Sequence, residues 1–230
     1  MSSWEHCSIL NNKMKMKDIV IFGAGGLGRE VACLIKRINA VQRAWNLLGF
    51  YDDGVEVGTR NEYGAVLGNV QDLAEYDSKV AVAIAIGAPK TVKNVAEELS
   101  VNKKLQFPNL ISPDFNISDP DNYSMGYGNI IQRNCTISCN VHLGNFNILN
   151  TGIGLGHDTR VGNYNAFMPA VKISGEVTMG DCNFFGVGSI VLQQLRVGNG
   201  IKLGAGSVLM RNAKDDVLYM GNPAKKIVIE

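Results

Sequence analysis

The chain has 230 residues, 46% of them apolar and 19% charged, a balance that can bury a core and is not that of a disordered protein. Twenty-two Lys and Arg face 21 Asp and Glu, and a formal charge of +1 gives no electrostatic reason to expect a nucleic-acid partner. No apolar run reaches the roughly 18 residues that span a membrane, and the polar N-terminus lacks the apolar stretch of a secretory signal, so the expected location is cytoplasmic with no membrane partner.

Residues 1–16 show no periodicity and are expected to form an unstructured leader. From Asp18 the pattern changes. Ile19-Val20-Ile21-Phe22 is a short apolar run of the kind buried in a parallel sheet. Gly23-Ala24-Gly25-Gly26-Leu27-Gly28 follows it, and Val31, Leu34, Ile35 and Ile38 then recur at helical spacing. Leu47 to Tyr51 is expected as a second strand ending in Asp52-Asp53, Val80 to Ile86 as a third, Val92 to Leu99 as a helix, and Gln106 to Ile111 as a last strand. Strands alternating with helices predict a small α/β domain over residues 17–112.

From Met125 to Leu209 every sixth residue is apolar, without a slip. A chain that turns every six residues builds one flat face per hexad, and three faces close a triangular coil of 18. The apolar residue points into the prism. The short residue two before it (Cys135, Val141, Thr159, Val171, Val177, Ser189, Ser207) is expected to point inward near a corner. Glycine often follows the apolar residue, as at 126, 144, 156, 162, 180, 186, 198 and 204, and is expected there to make the turn at positive φ. Residues 113–212 are therefore read as a hexapeptide-repeat β-helix. Residues 213–230 form a tail in which Lys214, Lys225 and Lys226 could meet phosphates. The five cysteines, odd in number and scattered, are expected as ordinary thiols without a metal.

Two places could carry chemistry. Gly23-x-Gly25-x-x-Gly28 lies between a strand and a helix, where backbone N–H groups cradle phosphate. Asp52 ends the next strand, where a carboxylate can hold a ribose or base. The literal motif is that of NAD enzymes, but only half of a dinucleotide fold precedes the prism, which suits a mononucleotide or a nucleotide-sugar better. The second place is His157, joined to Asp158. A neutral imidazole is a competent general base, and an adjacent carboxylate orients it and stabilises the imidazolium. His6 falls in the leader, and His142 has no carboxylate beside it.

The glycine loop with GFYDD, the hexads with LNTGIGLGHD, and the closing MGNPAKKI together resemble the sugar O- and N-acetyltransferases of the sialic-acid O-acetyltransferase type. Within these, they are similar to the bacillosamine-pathway enzymes that N-acetylate a UDP-linked 4-amino-sugar. The resemblance implies a left-handed β-helix, a homotrimer, and acetyl-CoA lying between adjacent prisms. It implies His157 as the base with Asp158 as its partner. Asn150, Gly175, Gly186, Ala205, Gly206 and Lys225 would line the acetyl-CoA site. Gly23, Gly25, Asp52 and Asp53 would bind the nucleotide-linked amino-sugar. The chain departs from the pattern at Ala166, where those enzymes carry a second histidine, and at Gly87-Ala88-Pro89-Lys90, where Lys90 would replace an arginine against phosphate. Sugar O-acetylation, or a non-catalytic nucleotide-binding scaffold, are the alternatives.

Overall fold

The computed structural model describes residues 16–227. The expected leader, with His6 and Cys7, lies outside the described residues except for Met16.

The first part is an α/β domain. Its elements are β1 (Lys17–Phe22), α1 (Gly26–Val41), β2 (Trp45–Tyr51), β3 (Arg60–Asn61), β4 (Gly64–Gly68), α2 (Val70–Ala74), β5 (Val80–Ile84), α3 (Pro89–Leu99) and β6 (Leu105–Gln106). The sheet order is β3-β4-β2-β1-β5-β6, parallel except for the β3–β4 hairpin. Central strands are covered on both faces, so Ile19 to Phe22 and Val80 to Ile84 read as unbroken apolar runs. Helix α1 lays Val31, Leu34 and Ile35 into the same core. The order reverses at β1, between β2 on one side and β5 on the other. In open α/β sheets the crevice at that point, beyond the carboxyl ends of the strands, is where ligands bind.

The last strand expected in this domain is two strands in two sheets. Leu105–Gln106 pairs with Val80–Ala81, whereas Leu110–Ile111 pairs with Ile130–Ile131 of the prism. Pro108, which has no N–H to give a ladder, stands between them.

The prism is a left-handed parallel β-helix, as the resemblance implies and against the general right-handed preference of parallel crossovers. Its three sheets stack residues 18 apart, as in Ile130↔Ile148, Thr136↔Gly154 and His142↔Arg160. The apolar series points inward: Ile131, Leu149, Phe167, Phe185 and Leu203 form one fully buried column, with Phe167 and Phe185 stacked 4.9 Å apart. The short residues at Cys135, Val141, Thr159, Val171, Val177, Ser189 and Ser207 are all fully buried.

The turns are made differently from the expectation. Positive φ falls three residues after the apolar one, at Asn134, Asn140, Phe146, Asp158, Tyr164, Ala170, Glu176, Cys182 and Gln194, with glycine at 128, 152, 188, 200 and 206. The glycines that directly follow the apolar residue do not have positive φ. They are small because the next coil is close: a Cβ on Gly144 would lie 2.5 Å from the carbonyl oxygen of Gly162.

One corner is held by a buried amide ladder. The side-chain oxygens of Asn129, Asn147 and Asn165 accept the backbone N–H of the asparagine one coil on, at 2.8–2.9 Å, and Asn183 accepts that of Ile201 at 2.7 Å. These asparagines are at most 1% exposed, so satisfied hydrogen bonds are a condition of their burial.

The two parts share a core. Ile130, Phe146 and Ile148 on one face of the prism join the apolar cluster of the α/β domain. Arg37 of α1 pairs with Asp114 at 3.4 Å, and Lys90 of α3 with Asp216 at 3.1 Å. At the far end, Lys225–Ile227 folds back antiparallel on Leu218–Met220. No helix of the described residues is long and apolar enough to cross a membrane.

Candidate active site

The glycine loop sits at the carboxyl end of β1, beside the end of β5. Gly23 has φ +109°, and a Cβ there would lie 2.5 Å from the carbonyl oxygen of Ala85. A Cβ on Gly28 would overlap the carbonyl of Gly23, so helix and strand approach this closely only with glycine. Gly25 is the residue before α1. It has open space around it, and α1 has neither a side-chain cap nor an acidic residue in its first turn. Uncapped N–H groups facing open space are suited to an anion.

Asp52 already has hydrogen-bond partners. Its carboxylate accepts the N–H of Ala24 and of Gly54, both at 2.8 Å, and so ties the glycine loop to the end of β2. Asp53 accepts the N–H of Val70 at 2.8 Å and helps to start α2. Lys90 lies in the first turn of α3 with its ammonium on Asp216, at the rim of a depression of about 470 Å³ that Lys202 and Lys226 also line.

His157 and Asp158 stand together on another edge, at a turn of the prism. His157 Nδ1 lies 2.8 Å from Asp158 Oδ2. With a carboxylate as acceptor Nδ1 carries the proton, which leaves the Nε2 lone pair free to take one. Asp158 is held in turn by Asn140, one coil below, whose Nδ2 donates to Oδ1 at 2.6 Å. The Asn140 bond first, and the His157 bond second, keep the Asp158 carboxyl below the usual carboxylate range. One coil above, the imidazole lies against Gly175, where a Cβ would overlap Nε2. Both side chains remain about half exposed, at 52% and 47%. Among the described residues no group of three His, Cys, Asp or Glu is placed to hold a metal ion.

Comparison with known proteins agrees with this layout. Residues 18–99 match the family described as the PglD N-terminal domain. No curated protein matches the chain by sequence. Solved structures match along nearly its whole length. The acetyltransferase domain of PglB from Neisseria gonorrhoeae is 26% identical, covers 92% of this chain and 100% of its own, and has a TM-score of 0.83. PerB from Caulobacter crescentus, solved with CoA and GDP-perosamine, is 25% identical over 93% of this chain and 99% of its own, with a TM-score of 0.80. WeeI from Acinetobacter baumannii is 25% identical over 93% and 100%, with a TM-score of 0.78. Residues 18–99 thus carry the PglD N-terminal domain, and the whole chain is similar in fold to these hexapeptide-repeat sugar acetyltransferases.

The remaining expected site residues lie on a different corner. Asn150 is nearly buried, and its Oδ1 accepts the N–H of Thr151 at 2.7 Å. Gly186 stands two coils above Asn150, with a Cβ position only 2.5 Å from the N of Ala205. Ala205 and Gly206 are exposed one coil further on. Lys225 is exposed in the terminal hairpin. Within one chain, Gly175 is brought to His157, and Asn150, Gly186, Ala205 and Gly206 are brought to one another. The two groups do not meet. Ala166 is buried on the face that turns toward the α/β domain, away from the His157 turn.

Asn140 escaped the sequence reading. It stands 18 residues before Asp158, so the coil period itself was the signal.

Proposed function

We propose that this acetyltransferase moves the acetyl group of acetyl-CoA to the amino group of a nucleotide-linked amino-sugar, with His157 as general base. The hydrogen bond between His157 Nδ1 and Asp158 carries the reading, because it leaves Nε2 as a proton acceptor at an open turn. The ligands of PerB, CoA and GDP-perosamine, support the substrate class. So does acetyl coenzyme A in a second structure of the PglB domain, 25% identical to this chain.

In the proposed reaction the neutral sugar amine attacks the thioester carbonyl. The N–C bond forms, the C–S bond breaks, and the amine proton passes through His157 Nε2 to the leaving thiolate. Asp158 stabilises the imidazolium in between. A base of this kind contributes about 10²- to 10⁴-fold. The N–H of Gly175 donates to no backbone carbonyl among the described residues and is suited to the developing oxyanion. The first turn of α1, with Gly23 and Gly25, would take the phosphates of the nucleotide. Asp52 would present that loop while its free lone pairs meet the ribose, with Asp53 behind it starting α2. Lys90 would have to leave Asp216 to reach a phosphate.

The Asn150–Gly206 corner is uncharged and small, and suits the pantetheine arm of CoA, with Lys225 toward its phosphates. A homotrimer would bring that corner of one copy to the His157 turn of the next. A cytoplasmic place in glycan biosynthesis follows from the substrates.

The test is CoA release from acetyl-CoA over a panel of nucleotide-linked amino-sugars, with His157→Ala in parallel. Turnover with one sugar and a loss of at least 100-fold in the variant is expected. Turnover that survives the substitution would remove His157 as the base.

A further inference from the structure

Directly above Asp158, on the same edge of the prism, stands Glu176. It occupies the same turn position, with φ +61°, and its N–H donates to the carbonyl of His157 at 2.7 Å. Gln194, one coil higher again, places Nε2 3.3 Å from both carboxylate oxygens of Glu176. The edge therefore reads Asn140, Asp158, Glu176, Gln194. Each carboxylate is held by an amide from the coil beyond it, Asp158 from below and Glu176 from above. An amide fixes a carboxylate without neutralising it.

The two carboxylates stand on successive coils of the edge that carries the imidazole. Asp158 holds the Nδ1 edge. Nε2 lies against Gly175, the residue that precedes Glu176. On the coil below, Arg160 acts on Asp158, and on the coil above, Arg196 stands two residues past Gln194, stacked over Thr178. Gln194 on the coil above is uncharged. The basic nitrogen therefore has a fixed negative charge one residue from the backbone it touches.

That arrangement discriminates between acceptors. An alkyl amine is mostly protonated at neutral pH, whereas a hydroxyl is neutral. A carboxylate on the coil that Nε2 faces attracts the first and gains nothing from the second. We propose that Glu176 is a specificity-determining residue that binds the acceptor as its ammonium form beside His157 and so selects an amine over a hydroxyl. This rests on the acetyl-transfer reading above. The balance is complete: the bound ammonium releases one proton to water, the free amine attacks, the N–C bond forms as the C–S bond breaks, and the second proton reaches the thiolate through Nε2. The products are the amide, CoA as its thiol, and one proton.

The test uses Glu176→Gln and Glu176→Asp in the full chain. The acceptors are the 4-amino-sugar nucleotide turned over fastest in the panel and its 4-hydroxy counterpart, the latter also tested as a competitive inhibitor. At neutral pH the glutamine variant is expected to raise the KM of the amine about five- to tenfold, the size of one screened charge pair at a few ångströms. Its kcat should stay within about threefold, and the inhibition constant of the hydroxy sugar should be unchanged. The KM effect should fade as pH rises above the pKa of the amine, and Glu176→Asp should restore part of the loss. An unchanged amine KM, or an equal weakening of both sugars, overturns the role of Glu176 while the acetyltransferase reading stands. Wild-type protein that prefers the hydroxy sugar overturns the selection for amines. No transfer to any amine or hydroxyl overturns the acetyl-transfer reading itself, and this role with it.

Discussion

Asn140 donates a hydrogen bond to Asp158 from one coil below, at 2.6 Å, and Asp158 in turn holds His157 at 2.8 Å. The base is thus oriented by a relay whose first step runs along the axis of the prism, from a residue 18 positions earlier in the sequence.

Replacing Asn140 with Ala removes the larger of the two hydrogen bonds that hold the Asp158 carboxyl low. The carboxyl should titrate at higher pH in the variant, which carbon-13 NMR of the labelled side chain reads directly. The sign for stability follows. A carboxyl with a depressed folded-state pKa stabilises the fold above its unfolded pKa, and that contribution is lost as pH falls through the folded value. The variant should lose this contribution at a higher pH than wild type does. At neutral pH its activity should fall several-fold, as the imidazole is less well held.

Gly175→Ala places a methyl where His157 Nε2 now lies. The ring must turn away, and the basic atom moves with it. Acetyl transfer should fall by roughly 100-fold, on the scale of a lost general base. His157 is half exposed and can move into solvent, so the melting temperature should change little. A large drop in melting temperature with activity per folded molecule retained would contradict the geometry.

Two glycines of the prism should respond differently to the same change. Gly144→Ala puts Cβ 2.5 Å from the oxygen of Gly162, and a backbone atom in a stacked coil cannot give way cheaply. About 3 kcal/mol is expected, at the upper end of the overpacking range. Gly188 has φ +65° and open space around it, so Gly188→Ala costs only the left-handed conformation, about 1 kcal/mol. Urea unfolding of both variants measures the difference.

Asn147→Ala breaks the amide ladder in its middle. The buried N–H of Asn165 loses its acceptor, and the carbonyl of Gly162 loses a donor. A loss of roughly 2–4 kcal/mol is expected. Calorimetric melting reads it, with the His157 edge left intact as a control by residual acetyl transfer.

The prism was legible in the sequence because its period is unbroken from Met125 to Leu209. Its ends were not, because the period slips there. Ile111 and Ile117 belong to the first coil, but two extra residues before Tyr123 put Met125 out of phase with them. At the other end Lys202 pairs with Leu218, two residues short of a full coil. The β3–β4 hairpin and α2 were missed because they are too short for a period to show. The turn glycines misled for a physical reason: absence of a side chain serves either a positive φ or a close neighbour, and composition does not separate the two. At the site, His157 and Asp158 are adjacent and were visible. Asn140 and Glu176 become visible only when the sequence is read 18 residues at a time.

The columns that run through this protein impose a unit on its length. A deletion of six residues above His157 would leave every apolar residue pointing inward and every turn intact. Yet each later residue would be rotated by one face, and Gly175 would no longer stand over the imidazole. A gain of 18 residues above Gln194 would keep every later residue on its own face, but would lift Ala205, Gly206 and Asp216 by one coil away from Gly186 and Lys90. Lengthening by whole coils therefore preserves the His157 edge below the insertion, whereas a change that preserves the local motif can dismantle it.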